Sequence, residues 1–104
     1  MANYVLSALA QQNIIEIRDY TLEIWGREQT IKYISLLEQR LEWLAANPNF
    51  GKKRNEVNEG LLSYPEGNHI IFYRIRTKQI EIIAVLHQRE DVAGHLNKSS
   101  PFES

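Results

Sequence analysis

Arg74, His87 and Arg89 are the residues of this chain whose types could break bonds. Cleaving RNA at its 2′-hydroxyl needs a base for that hydroxyl, cations for the phosphate and an acid for the leaving oxygen, all within hydrogen-bonding reach. One imidazole and two guanidinium groups, delivered from adjacent strands, could supply a titratable group and two cations. The alternative for His87 is a strand-end imidazole bonded to a loop. His69 and His95 share no strand or helix spacing with it. After Arg89 the chain carries no tyrosine, which leaves the acid–base set incomplete.

Other chemistries have less support. There is no cysteine and no clustering of histidines and carboxylates at ligand spacing, so no metal site is expected. Gly51 and Gly67 stand alone, outside any glycine run between a strand and a helix, so no nucleotide loop and no cofactor are expected.

Charge separates the parts of the molecule more sharply than it describes the whole. The net charge is -1, which argues against a nucleic-acid-binding domain, and no direct nucleic-acid binding is expected. Between His69 and Arg89, however, Arg74, Arg76, Lys78 and Arg89 face only Glu81. That stretch is either a solvated sheet face or a patch for an acidic partner. Arg74 could pair with Glu81 across the sheet, a contact worth roughly 0.2–1 kcal/mol at a surface, or hold a partner's carboxylate. Lys52-Lys53-Arg54 has the character of a solubilising loop.

The elements that must position these residues follow from periodicity. Tyr4-Val5-Leu6 has the character of a short strand, and Ser7 stands where a helix N-cap belongs. Leu9, Ile14, Ile17, Ile24 and Trp25 form the expected buried stripe of a first helix that ends at Gly26. Ile31, Ile34, Leu37, Leu41 and Leu44 do the same for a second helix, stopped by Asn47-Pro48-Asn49. So short a connection predicts an antiparallel hairpin. Tyr33, Leu36 and Trp43 form a second apolar edge that needs cover from the sheet or from another chain.

Residues 50–58 are polar and expected to form a loop. Strands are expected at 61–64, 69–75 and 80–87, with Pro65-Glu66-Gly67-Asn68 as the first turn and 76–79 as the second. The nearly continuous apolar run of the last strand predicts a central position, buried on both faces. Alternation would put Ile71, Tyr73 and Ile75 with His69 on one face and Ile70, Phe72, Arg74 and Arg76 on the other. In the last strand it would separate Ile80, Ile82, Ala84 and Leu86 from Glu81, Ile83, Val85 and His87. The fold class is therefore α+β, with two layers and a mainly antiparallel sheet that leaves one face partly open. At 104 residues one domain is expected, spanning 1–98, with 99–104 as a flexible tail. No apolar stretch is long enough to span a bilayer and no signal peptide is evident, so a cytoplasmic protein is expected.

Glu59-Gly-Leu through Phe-Tyr-Arg74, Val85-Leu-His-Gln-Arg-Glu-Asp-Val92, Trp25-Gly26 and Asn47-Pro48 together resemble the ParE branch of the RelE/ParE toxin superfamily, over nearly the whole chain. The resemblance implies a strand, a helix hairpin, an antiparallel sheet and a short C-terminal helix. It also implies the toxin of a type II toxin–antitoxin system, which inhibits DNA gyrase and is held in a hetero-oligomer by a ParD-like antitoxin. The alternative within the superfamily is a RelE-like mRNA endoribonuclease; those enzymes tend to be strongly basic. Carried over by position, Arg74, His87, Arg89 and Asp91 are expected to touch antitoxin or target, and Arg76 is added to them from the basic stretch. Tyr33 and Trp43 join them from the second apolar edge.

Overall fold

The computed structural model describes residues 3–89. Asp91, His95, the expected C-terminal helix and the boundary at 98 lie outside the described residues.

The chain runs through strand β1 (Tyr4–Leu6), helices α1 (Ala8–Trp25) and α2 (Arg27–Ala46), a 3-10 turn (Pro48–Phe50), then β2 (Lys52–Lys53), β3 (Leu62–Glu66), β4 (His69–Ile75) and β5 (Ile80–His87). Sheet order is β1-β5-β4-β3-β2; β1 is parallel to β5 and every other pair is antiparallel. The mixed five-stranded sheet places β5 inside, as its apolar run predicts.

Ser7 explains how α1 begins. Its hydroxyl accepts the Ala10 N–H (3.0 Å) and donates to the Ile83 carbonyl (2.7 Å), so one side chain caps the helix and ties it to β5. β1 stops opposite Ile82, which leaves the β5 edge beyond it without a strand neighbour. Asn13 fills the gap: its carboxamide oxygen accepts the Val85 N–H at 3.0 Å. Gly26 is the single residue between the helices, and its φ of 86° lies where side chains other than glycine are strained. Thr30 then bonds back to the Gly26 carbonyl through both its hydroxyl (2.7 Å) and its N–H (3.1 Å).

The main core lies between the hairpin and one sheet face. Leu37, Leu41 and Leu44 of α2 and Ala10 and Ile17 of α1 pack on Leu62, Ile71, Tyr73, Ile80, Ile82 and Val85. Burying each large aliphatic side chain there stabilises the fold by roughly 1.5–3 kcal/mol. The opposite face is less open than expected: Leu61, Phe72, Ile83, Ala84 and Leu86 form a second buried cluster, with Val57 packed against it.

Four expectations are corrected. The first concerns β5, where register shifts between Phe72/Tyr73 so that Phe72 pairs Ala84 while Tyr73 pairs Ile82. Ile83 is thus an extra, bulged residue, and alternation reverses after it. Ile83 and Ala84 share the second cluster, while Val85 joins Ile80 and Ile82 under the helices. The second is β2, formed inside the stretch expected to be loop; Lys52 and Lys53 are strand only because Ser63 and Leu62 pair with them.

Third, Pro65 and Glu66 belong to β3 rather than to a turn, which shrinks to Gly67-Asn68. β2 does not reach past Ser63, so Pro65 occupies an open edge, where proline is tolerated. Fourth, Ile24, Trp25 and Ile31 are not core: all three are more than half exposed. No residue of α1 beyond Thr21, nor of α2 before Thr30, is buried, because the hairpin tip overhangs the sheet.

Candidate functional site: the cleft beneath the hairpin tip

The reversal at Ile83 turns His87 to the helix side, where His69 faces it across the strand pair. The two imidazole rings meet edge to face with centroids 5.4 Å apart. Tyr33 of α2 adds a third ring, 5.6 Å from His69 and also edge-on. The Tyr33 oxygen accepts the Asn68 N–H (3.1 Å) and lies 2.5 Å from His69 Nδ1 but 3.5 Å from the Glu66 carbonyl. The phenol and the His69 imidazole therefore share a hydrogen bond. His87 Nδ1 accepts the Arg89 N–H at 3.1 Å. Burial, with the negative charge of Glu66 behind it, pushes the Tyr33 phenol above its ordinary value although the Asn68 amide pulls the other way, so the phenol remains a donor.

These rings form one wall of a cleft of ≈ 660 Å³. Asn13, Glu16, Ile17, Tyr20, Thr21 and Trp25 line it from α1, Gln29 and Tyr33 from α2, and Asn68, His69, Val85 and His87 from the sheet end. Glu16 and Tyr20 are one helical turn apart, as are Gln29 and Tyr33, so each pair shows the same face to the opening. Tyr20 and Trp25 are 64% and 68% exposed, an unusual state for large aromatics.

Arg74 lies elsewhere. It pairs in register with Glu81, five positions along β4 from His69, or roughly 17 Å at about 3.3 Å per residue. Alternation also turns it to the other face. Its guanidinium donates to the Glu59 carbonyl (2.6 Å) and to the Asn58 carboxamide oxygen, clamping the 54–61 loop. Arg76 is the residue that takes Glu81, at 2.5 Å. Arg89 is exposed beyond the end of β5. The structure therefore does not assemble the Arg74–His87–Arg89 set that RNA cleavage would use.

Trp43 occupies a third place. Its ring is tilted against Phe50 and Tyr64 at 5.1 and 5.3 Å, and the Arg40 guanidinium lies over both Trp43 and Tyr64 while bonding Glu66 at 2.8 Å. Phe50 remains 65% exposed beside it. Of the expected contact residues that are described, Tyr33 and His87 line the cleft together, with the Arg89 backbone bonded to His87, while Arg74, Arg76 and Trp43 are not in its lining. His69, Glu16 and Tyr20 were missed: nothing in a linear spacing announces a cross-strand partner, although Tyr20 four residues after Glu16 was a readable helix-face signal.

Among the described residues no group of histidines and acids is arranged to hold a metal, and no helix is long and apolar enough to cross a membrane.

Comparisons with known proteins show the family. The family model for the ParE toxin of type II toxin–antitoxin systems (parDE) matches residues 4–92. The chain is 36% identical over 96 residues to Toxin ParE1 of Mycobacterium tuberculosis strain H37Rv, covering 91% of this chain and 98% of that one. It is 33% identical over 96 residues to Toxin ParE1 of Caulobacter vibrioides (92% and 99%), and 32% identical over 97 residues to Toxin ParE of Escherichia coli (92% and 94%). A solved structure described as the chromosomal ParDE TA system from P. aeruginosa superposes with a TM-score of 0.71 at 18% identity, over 84% of this chain and 96% of that one, a likeness of fold. The chain belongs to the ParE toxin family of type II toxin–antitoxin systems.

Proposed function

We propose that this toxin acts in the cytoplasm by binding DNA gyrase and blocking replication, with no bond-breaking step of its own, and that a ParD-like antitoxin neutralises it in a hetero-oligomer. One observation carries the reading. The cation–imidazole set needed for phosphate chemistry is split between two faces and two ends of the sheet, while the hairpin tip offers Tyr20, Ile24, Trp25 and Ile31 as exposed apolar surface. A surface of that kind is suited to contact with another macromolecule. The target uses the tip and the cleft beneath it when the toxin is free, and the antitoxin covers them in the complex. Arg76, Arg89 and the Trp43–Phe50 edge extend that contact, and Asp91 belongs with them by the family resemblance.

The test is a supercoiling and DNA-cleavage assay with purified, demonstrably folded toxin. Inhibition that rises with toxin and is reversed by the antitoxin is expected; untouched gyrase at large molar excess ends the reading. The rival, a RelE-like mRNA endoribonuclease, draws on the paired His69 and His87 rings. New transcript ends mapped after induction would favour it, and an intact message pool during growth arrest would exclude it.

A further inference from the structure

The cleft lies where the chain leaves the sheet. His87, the last residue of β5, is part of its wall, and the backbone turns at Gln88 and Arg89 directly afterwards. Two hydrogen bonds fix the course of that turn. The Asn68 carbonyl accepts the Gln88 N–H at 2.9 Å, and His87 Nδ1 accepts the Arg89 N–H at 3.1 Å. The second bond sets a direction: an amide held by the His87 ring lies on the side of the sheet to which that ring points, and that is the side of the cleft.

The residues that follow suit the space in composition and length. Val92, Ala93 and Leu96 are the apolar side chains between Arg89 and Pro101. A single helical turn sets Val92 and Leu96, four residues apart, on one side. The α1 lining runs from Asn13 to Trp25, roughly 18 Å at about 1.5 Å per residue. Residues 90–96, fully extended, reach roughly 23 Å at about 3.3 Å each. Tethering decides between occupants, because a segment joined to the rim by a few residues is present at an effective concentration of about millimolar. In dilute solution a second copy of the chain cannot match that.

We propose that residues 90–96 of this same chain occupy the cleft in the free toxin, with Val92 and Leu96 against the apolar part of its lining, which includes Ile17, Tyr20 and Val85. A partner that takes the cleft displaces them. The displacement rests on the contact surface proposed above; the self-docking does not.

Because the sequence has no cysteine, Asn97→Cys places a single nitroxide on the full chain. The NMR amide signals of Ile17, Thr21 and Gln29 in the cleft should lose most of their height, while those of Lys53 at the far sheet edge and Lys78 in the 76–79 turn keep theirs. Val92→Asp combined with Leu96→Asp should restore the lost signals, with unchanged core resonances as the check on folding. Tyr20→Ala, at an exposed position of the cleft, should restore them in part without touching the segment itself. A mixed sample, with isotope and nitroxide on different copies, should show no loss.

Three outcomes would overturn the self-docking: no selective loss, an equal loss in the mixed sample, which would assign the cleft to a second copy, or a loss that survives both sets of substitutions. Saturating ParD-like antitoxin should restore the signals, and a loss that persists in a complex shown by calorimetry to have formed would overturn the displacement. Failure of the antitoxin to bind at all would break the partner reading, and with it the displacement, while the self-docking signals would stand.

Discussion

The two ends of the β4–β5 ladder use their polar side chains in opposite ways. At the Arg74 end they are spent inward. Arg74 clamps the 54–61 loop, Arg76 holds Glu81, and Tyr73 bonds both the Pro48 carbonyl (2.7 Å) and the Gly51 N–H (3.0 Å). At the His69–His87 end, rings and a carboxylate line a cleft beneath an overhanging hairpin, and two large aromatics remain more than half exposed. On the proposed reading, the Arg74 end mainly builds the fold and the cleft end is the one offered to a partner.

The largest effect that could break this comparison is on the fold. Phe72 is fully buried, and Phe72→Ala should cost about 3–5 kcal/mol in denaturant unfolding. Trp25→Ala at the tip should change stability by no more than about 0.5 kcal/mol. Comparable losses at the two positions would mean that the tip is part of the core after all.

Next comes the helix–sheet tie. Asn13→Ala leaves the buried Val85 N–H without its acceptor and should cost about 1–3 kcal/mol, whereas Asn13→Asp retains an acceptor oxygen. Urea midpoints of the pair separate loss of the hydrogen bond from loss of side-chain volume.

Arg74 and Arg76 give a smaller contrast within one strand region. Arg74→Ala should cost about 1.5–3 kcal/mol because two loop acceptors lose a charged donor. Arg76→Ala should cost about 0.2–1 kcal/mol, as expected for an exposed ion pair. Charge reversal intended to probe antitoxin binding therefore belongs at Arg76, where loss of affinity can be read without loss of fold; calorimetry with the antitoxin reports it.

The smallest effect is seen at alkaline pH. Burial is the leading cause that raises the phenols of Tyr4, Tyr33 and Tyr73 above the ordinary 10.0. Their folded values exceed their unfolded ones, so the stability they contribute is fully present below pH 10 and is lost as pH rises through the raised folded values. Stability measured against pH should fall there, and Tyr33→Phe and Tyr73→Phe should each flatten the fall, one from either end of the sheet.

Much of the fold was legible because its signals are local. Ser7 announced a cap, Gly26 a tight connection, Leu37, Leu41 and Leu44 a buried helix face, and the apolar run of β5 a central strand. What was not legible depends on pairing. Lys52-Lys53 has no strand character apart from its partners, and Pro65 resembles a turn residue until β2 is seen to stop short of it.

The bulge at Ile83 matters most for the site. A regular ladder from the 76–79 turn would put His69 opposite Leu86; one extra residue brings His87 there instead and turns it under the hairpin. No spacing within a single strand carries that information. The exposure of Trp25 was hidden for a related reason, since a helical stripe tells which residues share a face but not how far the sheet extends beneath it.

If the toxin works by contact at the tip rather than by chemistry among the rings, Trp25 is the residue whose removal matters most. Wild-type toxin and the equally stable Trp25→Ala variant are added at matched concentrations to gyrase and DNA, and trapped cleavage complexes are counted. Complexes are expected near equimolar wild-type toxin, with a large loss for Trp25→Ala. Equal activity of the two proteins, or gyrase left untouched by the wild type while RNA is cut, would contradict action by contact at the tip.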